Sequence, residues 1–113
     1  MVTHVVLLKA RPDLTTSDRR SFVEAFERAV CEIPSVRTFR VGRRVSHGAG
    51  YELGMPDTAD FIATIDFDDL AGLRAYLLHP AHEELRTLFG RLLSSALVYD
   101  FETGGLEVLA GLT

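Results

Sequence analysis

Residues 2–9 read Val-Thr-His-Val-Val-Leu-Leu-Lys, and this run constrains the fold more than any other stretch. It is rich in β-branched residues and apolar in both phases. Val2, His4, Val6 and Leu8 occupy one phase; Val5 and Leu7 occupy the other. Such a strand needs cover on both faces, because an apolar face left in water gains nothing from folding. Arg11, Pro12 and Asp13 end it, and the segment from Leu14 to Asp18 offers several helix caps. Phe22, Val23, Phe26, Ala29, Val30 and Ile33 then recur at helical spacing, and Pro34 closes that helix.

Three further strands are expected, at residues 36–46, 59–67 and 96–101. The first of these carries Arg37, Arg40, Arg43 and Arg44, read as the solvated edge of a strand. Residues 47–58 form a long connection with Gly48, Gly50, Gly54 and Pro56. The glycine spacing does not match the dinucleotide-binding pattern, so that function is rejected. Asp66 or Asp68 is placed to cap the following helix, whose stripe is Leu70, Leu73 and Leu77. Pro80 then breaks the helical pattern. It cannot sit inside a helix without losing a hydrogen bond, but it suits a first position. A new helix is therefore expected from Pro80 to about Leu93, with Leu85, Leu88, Phe89, Leu92 and Leu93 facing inward and His82 on the same stripe. Tyr76, at the edge of the preceding stripe, and His82 are turned toward one space by this break. Residues 103–113 form a glycine-punctuated tail, either mobile or an added edge strand.

The resulting order is strand, helix, strand, strand, broken helix, strand. This is the order of a ferredoxin-like α+β fold, a four-stranded antiparallel sheet with helices on one face. The opposite face would carry Val5, Leu7, Ile62, Leu97 and Tyr99. Exposed apolar surface of that size marks an interface, and a homodimer pressing sheet on sheet covers it. The chain has 113 residues, 47% hydrophobic and 25% charged, which suits one domain. Its net charge of −4 argues against nucleic acid as a partner. No apolar run reaches the roughly 18–20 residues of a membrane span, no signal peptide is visible, and a cytoplasmic location is expected. Cys31, the single cysteine, is read as a small buried apolar residue.

Several segments together resemble the stress-responsive dimeric α+β barrel (Dabb) domain. They are His4 in a strand ending at Lys9, Ile33-Pro34, Phe67 before a short helix, the Tyr-x-x-His-Pro-x-His segment running from Tyr76 to His82, and Tyr99-Asp100-Phe101. The resemblance covers residues 2–102, so residues 1–102 are assigned to the domain and 103–113 to the tail. It implies a ferredoxin-like subunit whose sheet joins a partner's sheet into a barrel. Most members have no assigned activity, and some plant members are stress-induced. One plant member is a cofactor-independent polyketide cyclase that closes a tetraketide by aldol condensation. By that likeness His82 corresponds to the catalytic base, Tyr76 to a substrate-holding tyrosine and His4 to a pocket residue. The pocket wall corresponds to Phe22, Val23, Phe26 and Leu85, with Val6, Leu8, Phe61, Ala63 and Leu77 around the same space. The cyclase carries another histidine where Phe61 aligns here.

Two classes of function follow. One is a small-molecule pocket protein, enzymatic or merely binding, for an apolar carbonyl-bearing ligand, with His82 as general base and Tyr76 as its hydroxyl partner. An imidazole titrates near pH 6.5, which suits proton abstraction at neutral pH. The other is a structural stress or assembly protein whose function is the dimer, with Tyr76 and His82 fixing a helix corner. Oxygenation or heme degradation, as in other dimeric α+β barrels, lacks a distinctive residue set. His79 and His82 stand three apart, but Pro80 intervenes and no carboxylate or cysteine motif accompanies them, so neither metal nor cofactor is expected. His79 reads as a cap or corner residue, and Tyr99 with Asp100 as strand packing and an edge contact.

Overall fold

The computed structural model describes residues 1–112. Its elements run β1 (Val2–Ala10), α1 (Thr16–Glu32), β2 (Thr38–Arg43), β3 (Phe61–Phe67), α2 (Leu70–Leu78), α3 (Pro80–Leu92) and β4 (Leu93–Glu102). Short 3₁₀ segments lie at Gly50–Gly54 and Leu106–Leu112. The four strands form one sheet in the order β2-β3-β1-β4, and all three pairings are antiparallel. This is the α+β, ferredoxin-like architecture expected from the element order.

Local chemistry explains each boundary. Thr15 caps α1: its side chain accepts from the Asp18 backbone N–H while the Asp18 carboxylate accepts from the Thr15 N–H. Asp69, not Asp66 or Asp68, caps α2 by accepting from the Gly72 N–H at 2.9 Å. Asp66 is engaged across the sheet, accepting from the Thr3 and Thr38 hydroxyls, and Asp68 pairs with Arg37. The break at Pro80 falls where expected, and β4 begins directly after α3. β2 is shorter than residues 36–46, and β3 starts at Phe61. The segment between them is instead tied by Glu52, which accepts from the backbone N–H groups of His47 and Ala49. Gly48 supplies the positive φ of +87° that this turn needs. The tail is neither an edge strand nor irregular through its length, since residues 106–112 wind into a 3₁₀ segment; Thr113 lies outside the described residues.

The core lies between sheet and helices. His4, Val6 and Leu8 of β1 and Ala63, Ile65 and Phe67 of β3 face it from below. Ala25, Ala29, Val30, Ile33, Leu73, Tyr76, Ala81 and Leu85 face it from above. Cys31 is exposed, contrary to expectation. Each helical residue turns by about 100°, and the inward stripe of Ala25, Ala29 and Val30 leaves position 31 on the flank. The other sheet face is uncovered: Ile62, Leu97, Tyr99 and Phe101 are all exposed there.

Candidate functional site

Four aromatic side chains from four elements meet over the N-terminal half of β1: Tyr76 of α2, His82 of α3, Phe67 of β3 and His4 of β1 itself. Tyr76, in the last turn of α2, is 1% exposed. Its ring lies 4.8 Å from that of His82, 5.2 Å from Phe67 and 5.8 Å from His4, centroid to centroid. Burial pushes the Tyr76 hydroxyl up to about 12, so at neutral pH it keeps its proton and can only donate or weakly accept.

His79 makes the geometry possible. It is at once the C-cap of α2 and the N-cap of α3, and its Nδ1 accepts from the Ala81 N–H at 3.0 Å. With Pro80 at the first helical position, the chain turns within one residue. His82 thereby falls in the first turn of α3, against Tyr76 rather than in solvent.

His82 Nδ1 is buried and has no hydrogen-bond partner. An orphaned N–H costs more than an orphaned lone pair, so this nitrogen is the unprotonated one. The pKa of His82 is lowered, first by burial and then by repulsion from His4; a hydrogen bond to the Leu77 backbone and the nearby Glu83 pull the other way. Both main influences keep the ring in its basic form.

His4 is held from the far side. Its Nδ1 lies 2.6 Å from Asp100 Oδ1, and an ionised carboxylate can only accept, so Nδ1 carries the proton. The His4 side chain is 5% exposed and that of Asp100 42%. Register produces this pair: His4 of β1 stands opposite Asp100 of β4, as Val6 stands opposite Val98. Val98 is also exposed, so the helix layer leaves β4 open and the cluster meets solvent on that side. Asp100 was not read from the sequence as a site residue. The signal was its phase, which it shares with Ala96 and Val98 on the strand beside His4.

The apolar residues divide. Val6, Leu8, Ala63 and Leu85 are buried, and Phe22, Phe26 and Leu77 are half-buried against the core. Phe22 stacks on Phe89 at 5.6 Å, closing the space over Val6 and Leu8. Phe61 lies on the helix-facing side of β3 but at its exposed start. Val23 does not line this space; at 62% exposed it sits one position off the inward stripe of α1. Two surface hollows lie elsewhere. One of about 270 Å³ is on the outer side of α1, around Glu27 and Cys31. The other, of about 370 Å³, is on the open sheet face, around Leu7 and Ile62. Among the described residues, no group of three or more histidine, cysteine or acidic side chains is gathered as a metal site. No helix among them is long and apolar enough to cross a membrane.

Residues 2–103 match the profile of the stress-responsive A/B barrel domain. The chain belongs to that family, Dabb. Olivetolic acid cyclase of Cannabis sativa is 20% identical to it over 100 residues, covering 88% of this chain and 94% of the cyclase. Among solved structures, hydroxynitrile lyase from Passiflora edulis superposes with a TM-score of 0.77 at 12% identity, over 92% of this chain and 94% of the lyase. A dimeric ferredoxin-like protein of unknown function from Thermobifida fusca YX superposes with a TM-score of 0.69 at 22% identity, over 90% of each chain. Dabb relatives thus share this fold under names that denote different chemistry.

Proposed function

We propose that this Dabb protein is a homodimer, joined through the open sheet face, that holds a small apolar carbonyl-bearing molecule at the Tyr76–His82 corner and acts on it by acid–base chemistry without a cofactor. The observation that carries the reading is the buried Nδ1 of His82, unpartnered among the described residues, on a ring packed against the buried ring of Tyr76. A lone pair kept dry, basic and unsatisfied is available to a proton that a ligand brings. In that reading His82 removes a proton from the carbon next to the ligand's carbonyl. The electron pair moves onto the carbonyl oxygen, and the Tyr76 O–H donates to that oxygen as charge develops. Low local polarity strengthens such a bond. Asp100 is a positioning residue: by fixing the His4 tautomer it holds that ring edge-on to Tyr76. The dimeric assembly is supported by the bare apolar face and by the dimeric relative from Thermobifida fusca.

Deuterium exchange at the α-carbon of small 1,3-dicarbonyl compounds tests the chemistry without a named substrate. The wild type should accelerate exchange, and His82→Ala should lose about 10²–10⁴-fold of that rate while melting as before. Tyr76→Phe should slow it too, and Asp100→Asn should shift the pH profile of the rate rather than its ceiling. Equal exchange with and without His82 would sink the proposal.

A second reading has its own support. Tyr76, Leu85 and the Phe22–Phe89 stack fill much of the space between sheet and helices. On that reading the corner is structural, and the function is the dimer. Substitutions at Tyr76 and His82 would then lower the melting temperature and change no rate.

A further inference from the structure

The 370 Å³ hollow on the open sheet face shares only Phe61 with the site residues above. Its floor is Leu7 and Ile62, its wall is Met55 and Pro56 from the connection between β2 and β3, and its rim carries Arg43, Arg44 and one acid, Asp60. Arg44 is shared with Asp57 at 3.5 Å. Arg43 has no ion pair among the described residues, and neither has Arg40 on the same strand. The hollow is therefore apolar below, and at its edge Arg43 is the cation left without an ion pair among the described residues.

A segment of matching character lies at the other end of the molecule. Residues 104–112 extend past the family domain, which stops at 103. They contain no cation, and they carry Glu107, whose carboxylate is held ionised by backbone N–H groups of its own turn. Leu106 and Leu112 are more than four-fifths exposed, and Val108 and Leu109 are half exposed. This 3₁₀ segment buries none of its apolar side chains in its own chain. It is anchored at the far end of the strands, where the Thr103 N–H donates to the Met1 carbonyl at 2.9 Å. The hollow is five residues further along β1 and on the opposite flank of the sheet, and none of its lining comes from the tail. The Cα framework is only 18 Å thick, room for one sheet and one helix layer.

We infer that the tail of one copy docks in the hollow of the other: Leu106 and Leu109 enter over Leu7 and Ile62, and Glu107 meets Arg43. The occupant is a second copy of this chain because the two surfaces complement each other in charge and in apolar character, yet stand at opposite ends of one subunit. In an isologous dimer one such contact implies two, so the tails would clasp both subunits. The inference rests on the dimer proposed above.

The test measures the dimer dissociation constant of the full chain by sedimentation equilibrium. The variants are Leu106→Ser/Leu109→Ser, Arg43→Glu and the two sets combined. Each set alone should weaken the dimer by about tenfold or more, roughly 1.4 kcal/mol. Combined they should weaken it no further than the stronger set alone, because both break one contact. A wild type that stays monomeric at every concentration overturns the dimer and the clasp together. A dimer indifferent to the tail substitutions, or losses that add in full, overturns the clasp and leaves the dimer standing.

Discussion

His82 shows how one side chain ties the site to acid stability. Its pKa in the folded chain is lowered by burial and by His4, while in the unfolded chain it returns to about 6.5. Below that value the unfolded state binds more protons than the folded one, so stability falls as pH falls and is flat above it. Urea titrations between pH 4.5 and 7.5 should show this slope in the wild type and a shallower one in His82→Phe. An unchanged slope would mean that the ring is not dry in solution. The carboxylates of Glu52, Asp57 and Asp68 also lose stabilising partners in acid, but they titrate lower and are common to both proteins. At this scale the sequence was readable as far as phase. Helical spacing put His82 inward and strand alternation put His4 on the apolar face. What phase did not show was partnership across the sheet, because the His4–Asp100 contact depends on a register between residues 96 apart. Val23 marks the same boundary, since a stripe read to within one residue can admit a neighbour that faces water.

Among the elements, the joint between α2 and α3 is the one on which the corner depends. A single residue, His79, ends one helix and starts the next, and its Nδ1 serves as the capping acceptor. His79→Ala should cost about 1 kcal/mol of stability, as loss of a helix cap does, and lower the urea midpoint. It should spare the exchange chemistry if Pro80 alone keeps His82 in place. A loss of rate with normal stability would instead make His79 a participant. Proline and helix periodicity made this joint legible in advance. The cap of α2 was misplaced by one to three residues because Asp66, Asp68 and Asp69 crowd one turn, and only tertiary contacts separate them. Asp66 has the Thr3 and Thr38 hydroxyls, and Asp68 has Arg37, which leaves Asp69 free to cap. The tail was unreadable for a similar reason: eleven residues with four glycines or alanines carry no period strong enough to name a 3₁₀ segment.

For the whole molecule, the proposed dimer turns on the bare sheet face. Leu7 stands on that face between Ile62 of β3 and Leu97 of β4. Leu7→Asp should raise the dissociation constant by more than about a hundredfold, because a carboxylate buried without a partner carries a penalty of several kcal/mol. Light scattering would show the wild type at twice the 12.5 kDa chain mass and the variant at the chain mass itself. A variant still dimeric at micromolar concentration would place the interface elsewhere. In the sequence, the element order and the apolar residues in both phases of β1, with Ile62, Leu97 and Tyr99, are what lead to the expectation of a second covered face.

The pairing of β1 with β4 also bears on how the chain is made. Within this sheet the first strand to be synthesised waits for the last one, since its neighbours are β3 and β4. At about 5–20 residues per second, Val2 to Ala10 spend several seconds with an unfilled edge while the remainder is synthesised. During that interval an apolar, β-branched strand is open to any other nascent chain. A message truncated before residue 93 would never fill that edge. Its product should be found with chaperones and proteases rather than as a smaller folded protein.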